Sequence, residues 1–286
     1  MTVHQLHTER PAPVARRRIG AHLAVLRADA NLTLTEAARA AQITPGRLAR
    51  AERGESLLTP RAHANLLDRY GATEQQRDNL TGLLRLSTSP AKCWTDEGQA
   101  RRRRLMAIQA PAIELRIWAV AYLPAILRTQ DAVQDLARWP NGWDKRDLAA
   151  GRRSSADFAS GHMGRAALLL DESWLKRVLG SREAMADQLE HLLHLQHADR
   201  IRLRVVGFDA GRLPPTPTVQ VDFGPDRGHL AYDELHEYIS YTADSSLLED
   251  FTRRFAAASD AAMSIRDSRA RITEAIAAHR AGRRLR

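Results

Sequence analysis

Three histidines fall close together in Glu190–His197 (EHLLHLQH), a spacing at which one helix face can hold a metal ion. On a helix Glu190, His194 and His197 lie within about a sixth of a turn of one another, with His191 further round. Leu189, Leu192 and Leu193 mark the opposite, buried face, so the histidines are read as lining a solvated side. Neither an HExxH motif nor a neighbouring cysteine accompanies them. Asp171-Glu172 and Asp233-Glu234 are carboxylate pairs at expected strand ends, where general acid–base chemistry can sit. Such pairs also serve as helix caps and salt-bridge partners, and that is how they are read. Ser160-Gly161-His162-Met163-Gly164 is not a GxSxG nucleophile elbow, and no phosphate-cradling glycine motif occurs. Trp118, Tyr122, Trp139, Trp143 and Trp174 are read as core or pocket wall. The expectation is a protein that is not an enzyme and uses no cofactor or metal.

The remaining chemistry is cationic. Of 43 basic residues only Lys92, Lys145 and Lys176 are lysine, and the other 40 are arginine. The formal net charge of +9 is unevenly spread: +8 in residues 1–104, −4 in 105–265 and +5 in 266–286. A basic front on an acidic body fits a nucleic-acid-binding unit joined to a unit of another kind. The length of 286 residues suggests two domains. A 44% hydrophobic content excludes a chain disordered throughout. No apolar run approaches the ~20 residues of a membrane span. No secretory apolar stretch follows Arg16-Arg17-Arg18, and Cys93 is the single cysteine. These features predict a cytoplasmic protein, nucleoid-associated when on DNA, without membrane contact.

The elements that must carry these side chains follow from caps and periodicity. Residues 1–16 are polar and proline-containing, and are expected as a flexible arm. From Arg17 the period is helical, with Ile19, Leu23 and Leu26 on one stripe. Thr33-Leu34-Thr35-Glu36 is a capping-box signature. Thr44-Pro45 and Thr59-Pro60 each set an N-cap before a first-turn proline, and Gly54 and Gly71 are helix stops. Residues 17–86 therefore predict an all-α unit of five short helices. Residues 87–104 read as a linker ending in the run Arg101–Arg104. Residues 105–280 predict an α+β domain with four or five strands. Its expected form is a small, mainly antiparallel sheet with flanking helices. A basic tail, 281–286, follows.

Two short helices joined by a tight turn form a helix-turn-helix. The stretch LTLTEAARAAQITPGRLARAERG resembles the helix-turn-helix of XRE/Cro/cI-type repressors. Ala37-Ala38 match the small pair at the helix contact, Ile43 the apolar turn residue and Leu48 the core residue of the second helix. Glu52-Arg53-Gly54 matches the family's ending. The resemblance implies a lambda-repressor-like domain that binds double-stranded DNA. Carried over by position, Pro45, Gly46, Arg47 and Arg50 face the bases, and arginine pairs with guanine through two hydrogen bonds. Thr33, Thr35, Thr44, Arg53 and Arg61 are candidates for phosphate contact. Leu34 stands where the family often has glutamine, and Gln42 where it usually has glycine. One short recognition helix reads few base pairs, so a homodimer on a palindrome is expected.

The second part resembles the uncharacterised C-terminal domain of actinobacterial antitoxin-like regulators. The likeness is carried by Leu168–Leu175, Gln188–Leu192, Arg204–Phe208 with Gly211, and Tyr232-Asp233-Glu234. The chain departs from that family at Leu123–Thr129 and at Gly207. This resemblance implies a domain that senses a small-molecule ligand or binds a small neighbour-encoded partner protein. The expected function is thus a sequence-specific transcriptional regulator. The alternative is an antitoxin-like protein that sequesters such a partner and autoregulates its operon.

Overall fold

The computed structural model describes residues 12–86, 92–120, 122–135, 138, 143–178, 180–210, 218–235 and 237–283. Residues 1–11 of the expected arm, 87–91 of the linker, Trp139, Gly211 and 284–286 of the tail lie outside the described residues.

Five helices open the chain: α1 (Ala12–Asp29), α2 (Leu34–Ala40), α3 (Pro45–Glu52), α4 (Pro60–Arg69) and α5 (Glu74–Leu86). Helix α1 thus begins inside the stretch expected as an arm. The capping box forms as the sequence requires: the Glu36 amide donates to Thr33 Oγ1 (3.2 Å) and the Thr33 amide to Glu36 Oε2 (2.8 Å). Thr44 and Thr59 cap α3 and α4 with the hydroxyl half of that arrangement, accepting from the Arg47 and Ala62 amides (3.2 Å each). Ile19, Leu23, Ala37, Ala38, Leu48, Leu66 and Leu80 form the core of this unit.

The second unit is built on one seven-stranded mixed sheet, and the small antiparallel sheet expected from sequence is not what forms. Strands β1 (Cys93–Glu97), β2 (Glu114–Ala119), β3 (Arg165–Asp171), β4 (Ile201–Val206), β5 (Thr218–Asp222), β6 (His229–Glu234) and β7 (Tyr238–Thr242) lie in the order β1-β7-β6-β5-β2-β3-β4. Strands β2, β3 and β4 are parallel, and the other neighbours are antiparallel. The difference has physical causes. Strands β2 and β3 contact helices on both faces. The short apolar run of β3 reads as a buried strand, and its parallel pairing is set by partners far along the chain. Strand β1 is polar and mostly exposed, so it resembles a linker.

Helices α6 (Arg101–Gln109), α7 (Gln130–Asp135), α8 (Lys145–Ala159), α9 (Glu172–Lys176), α10 (Arg182–His197), α11 (Ser245–Ala261) and α12 (Ile265–Arg280) surround the sheet. The residues expected as a linker therefore hold a strand and the start of α6. One sheet face, with Leu115, Ile117, Leu168, Leu203 and Val221, meets Leu105, Phe158, Leu189 and Ile272 of the helices. The other face, with Trp118, Leu169 and Val206, meets Ala258 and Ala262 at the end of α11. Gln188, inside a family-like segment, holds the end of the departing segment Leu123–Thr129 in place: it accepts from the Thr129 amide (2.8 Å) and donates to the Leu127 carbonyl (2.8 Å).

Both outer strands have backbone groups occupied by side chains. The Leu203 and Val205 amides of β4 donate to Gln196 Oε1 (3.2 Å) and Ser268 Oγ (2.9 Å). Arg18 donates to the Thr95 carbonyl of β1 (3.0 Å).

Candidate nucleic-acid interface

Helices α2 and α3 are set against each other by a turn in which Gln42 takes a left-handed φ of 56°. The amides of Gln42 and Ile43 return to the carbonyls of Arg39 (3.1 Å) and Ala38 (3.0 Å), closing the end of α2. Leu48 and Ala51 turn inward from α3 and are buried. On the outer side Pro45, Gly46, Arg47 and Arg50 are all exposed. Among the described residues neither Arg47 nor Arg50 pairs with a carboxylate. The predicted base-facing residues are thus open to solvent at the N-terminal part of an eight-residue helix, with Arg47 and Arg50 about 60° apart around it.

The predicted phosphate-contact residues differ from one another. Thr33, Thr35, Thr44, Arg53 and Arg61 are exposed. Thr33 already donates its hydroxyl proton to Glu36 (2.7 Å), and the hydroxyl and the Thr33 amide hold the Glu36 carboxyl below its usual range. Thr44 Oγ1 accepts from the Arg47 amide (3.2 Å), which leaves its own proton to donate. Arg53 is engaged by Glu55 through two contacts of 2.9 and 3.1 Å, so a phosphate there has a competitor.

What holds α3 is α1, and sequence reasoning missed most of it. Gly20 lies against the end of α3 so closely that a Cβ there would stand 2.4 Å from the Ala51 and Glu52 carbonyl oxygens. Arg27 grips Glu52 with two bonds of 2.7 and 2.8 Å and also donates to the Leu32 carbonyl (2.9 Å). This gives Glu52 of the family-like ending a structural task. Arg17 donates to the Arg53 carbonyl (3.1 Å). Positions 17, 20 and 27 recur at helical spacing on one side of α1, a signal present in the sequence.

The other side of α1 belongs to the sheet unit. Ala21 is buried in the sheet unit's core. Arg103 pairs with Asp29 and, at 3.4 Å, with Asp147. Arg102 lies between Asp147 (3.7 Å) and Glu234 (3.5 Å), and Arg104 pairs with Asp96 (2.7 Å). Five arginines of the basic front, Arg17, Arg18, Arg102, Arg103 and Arg104, therefore serve internal contacts. The charge excess overstates the surface available to nucleic acid.

Within the sheet unit, Asp171 caps α9 through the Ser173 amide (2.9 Å), and Glu172 pairs with Arg271 (2.6 Å). Burial raises the Glu234 carboxyl, and Tyr122 and Arg102 partly offset it. His194 and His197 are exposed and His191 is half-buried, its pKa lowered by burial and by His194. Glu190 is bonded to Arg280 (2.8 Å). Among the described residues no group of three or more His, Cys, Asp or Glu side chains converges as a metal site. The gaps around Arg102, Tyr122, Trp143, Tyr232 and Glu234 have room for about one water molecule each. A larger groove, about 350 Å³, runs between the end of α10 and the start of α12. Leu193, Ile201 and Ile265 give it an apolar lining, with Arg202 and Arg269 beside them.

A family profile described as "Domain of unknown function (DUF5753)" matches residues 102–274, more than half of the chain. The chain belongs to the DUF5753 family. A profile described as "Helix-turn-helix domain" matches residues 18–80 of this DUF5753 protein. The N-terminal unit is accordingly a helix-turn-helix domain, as its sequence predicts. None of the curated proteins matches the chain. Among solved structures the chain is similar to TrmBL2, an archaeal chromatin protein whose structure is titled as showing a novel mode of DNA binding. The TM-score is 0.31 at 13% identity, over 84% of this chain and 98% of that one. A likeness that low transfers neither architecture nor activity. Among the described residues no helix is long and apolar enough to cross a membrane.

Proposed function

We propose that this DUF5753 protein is a sequence-specific DNA-binding transcriptional regulator. One observation carries the reading. The second helix of a helix-turn-helix presents Arg47 and Arg50 to solvent, while Leu48 and Ala51 of the same helix fill the core. A guanidinium without a carboxylate partner is ready for a guanine edge, a contact worth about 1–3 kcal/mol of discrimination. Base readout falls to Arg47 and Arg50 with Pro45 and Gly46 beside them, and phosphate contact to Thr35, Thr44 and Arg61. The protein binds as a homodimer, because two recognition helices about 34 Å apart read a palindrome that one cannot. The sheet unit receives the signal. The groove between α10 and α12 supports this part: Arg202 and Arg269 line it without carboxylate partners among the described residues, and Asp199 at the same groove is paired with Arg165 (2.9 Å).

The test is selection of duplexes from a random pool by the purified chain, followed by binding measurements on variants. A palindromic consensus is expected. Arg47→Ala should relax preference at one base position at a cost of about 1–3 kcal/mol, and Arg61→Ala should weaken all sequences alike. Equal losses on selected and scrambled DNA for both variants would remove the base-readout assignment.

One observation favours the antitoxin-like reading as a second role. Phe208 is 63% exposed and Val178 45%, with Lys176 over the Phe208 ring (5.0 Å). Co-purification with a small partner at fixed stoichiometry, lost in Phe208→Ser, is the expected result.

A further inference from the structure

Arg17 of α1 holds the recognition helix and the sheet unit with the same guanidinium. Nη1 donates to the Arg53 carbonyl at the end of α3 (3.1 Å), and Nη2 to the Arg227 carbonyl in the turn between β5 and β6 (3.0 Å). The guanidinium carbon stands 3.4 Å from the centroid of Phe223, at the end of β5. We infer that Arg17 is a positioning residue for DNA readout, and that the β5–β6 hairpin of the sheet unit sets the pose of α3 through it. This deepens the DNA-binding reading and rests on it.

Several observations converge on the joint. Arg17 is only 5% exposed, so it is closed off from a duplex. Burial lowers its pKa to about 10, which leaves it charged at neutral pH, with carbonyl oxygens and a ring face as its surroundings. The hairpin grips the same helix end a second time, since Arg227 reaches Glu55 (3.6 Å) while Glu55 holds Arg53. Gly54, at φ 71°, brings the chain so close that a Cβ would lie 2.5 Å from Arg17 Cα. The end of α3 is thus held to α1 by backbone contact and to the sheet unit by the Arg17 and Arg227 side chains.

Geometry turns that fixture into control of readout. An eight-residue helix is about 12 Å long, so a tilt of about 10° at its C-terminal end moves its N-terminal end by about 2 Å. Arg47 sits at that N-terminal end. A hydrogen bond to a base edge does not survive such a shift. Any event in the sheet unit that moves the hairpin therefore reaches the end of α3 through buried Arg17, with the Arg227–Glu55 pair beside it.

The test uses the full-length chain, a duplex selected by the wild type and a scrambled duplex, over a salt series. Arg17→Gln and Phe223→Leu should each weaken the selected duplex about tenfold, the loss of one bidentate contact, and leave the scrambled duplex unchanged. The slope of log affinity against log salt should stay as in the wild type, because no phosphate contact is removed. Arg61→Ala should lower that slope by about 1. Hydrogen exchange at the Gly54 and Glu55 amides should quicken in Phe223→Leu while the amides of α5 stay protected, which separates a loosened α3 from a failed fold. Unchanged affinity of Phe223→Leu for the selected duplex overturns the inference, as does a lowered salt slope in Arg17→Gln. A wild type that enriches no sequence overturns the DNA reading itself, and the inference with it.

Discussion

His22 faces the joint between the two units. Burial, and after it the charge of Arg104, lowers its pKa to about 3, with Asp96 acting the other way and Arg18 adding to the lowering. The unfolded chain titrates near 6.5, so between these values it takes up a proton that the folded chain refuses. The stability contributed by neutral His22 is complete above about pH 6.5 and is lost as pH falls, at about 1.4 kcal/mol per pH unit. Asp147 and Glu234, whose carboxyls burial pushes up, act in the opposite sense at lower pH. The decisive comparison is therefore His22→Gln against the parent. The urea midpoint of the parent should drop from about pH 7 to about pH 5, and that of the variant should drop less. Parallel losses in both would refute the assignment. At this scale the sequence was readable only in part. Arg47 and Arg50 announce themselves by place on a capped helix. Arg17 and Arg102 stand in runs that look like solvated basic patches, and only the fold supplies the carbonyls, rings and carboxylates that bury them.

Two glycines inside helices test the elements in opposite directions. Gly20 of α1 is pressed against the Ala51 and Glu52 carbonyls, whereas Gly82 of α5 has open space where a Cβ would go. Gly82→Ala should stabilise the protein by about 0.5–1 kcal/mol, because alanine loses less backbone freedom on folding. Gly20→Ala should destabilise by about 1–3 kcal/mol or more, because backbone must move to admit the methyl. Urea unfolding of both variants checks this. Stabilisation by Gly20→Ala would mean that α1 and α3 are not in backbone contact. The elements themselves were the most legible level. Thr33 with Glu36, Thr44-Pro45, Thr59-Pro60 and the stops at Gly54 and Gly71 fix the short helices by local hydrogen bonding and first-turn geometry. The sheet was less legible, because pairing is set by partners far along the chain. β1 pairs with β7 through Cys93–Thr242 to Glu97–Tyr238, and neither strand carries an alternation strong enough to reveal it.

At the level of the molecule, α1 belongs to two cores at once. Ile19, Leu23 and Leu26 pack with the helix-turn-helix core, and Ala21 packs with the sheet core. Asp29 is paired with Arg103, Arg18 with the Thr95 carbonyl, and Arg17 with the β5–β6 turn. A reading of composition splits the chain near residue 86, where polarity rises. Packing does not respect that split, since the face of α1 opposite its apolar stripe is built of small residues that look neutral until a second helix lies on them. Severing the chain between residues 86 and 92 should therefore cost the N-terminal fragment a supporting surface. Made alone, a fragment of residues 1–90 should unfold at lower urea than its counterpart unit in the intact chain. Co-expressed with residues 91–286, it should co-purify, and Arg103→Ala should weaken that association by removing the pair with Asp29. An isolated fragment as stable as the intact chain, or two fragments that never associate, would show that α1 serves the helix-turn-helix alone and that the sheet unit has no mechanical hold on the recognition helix.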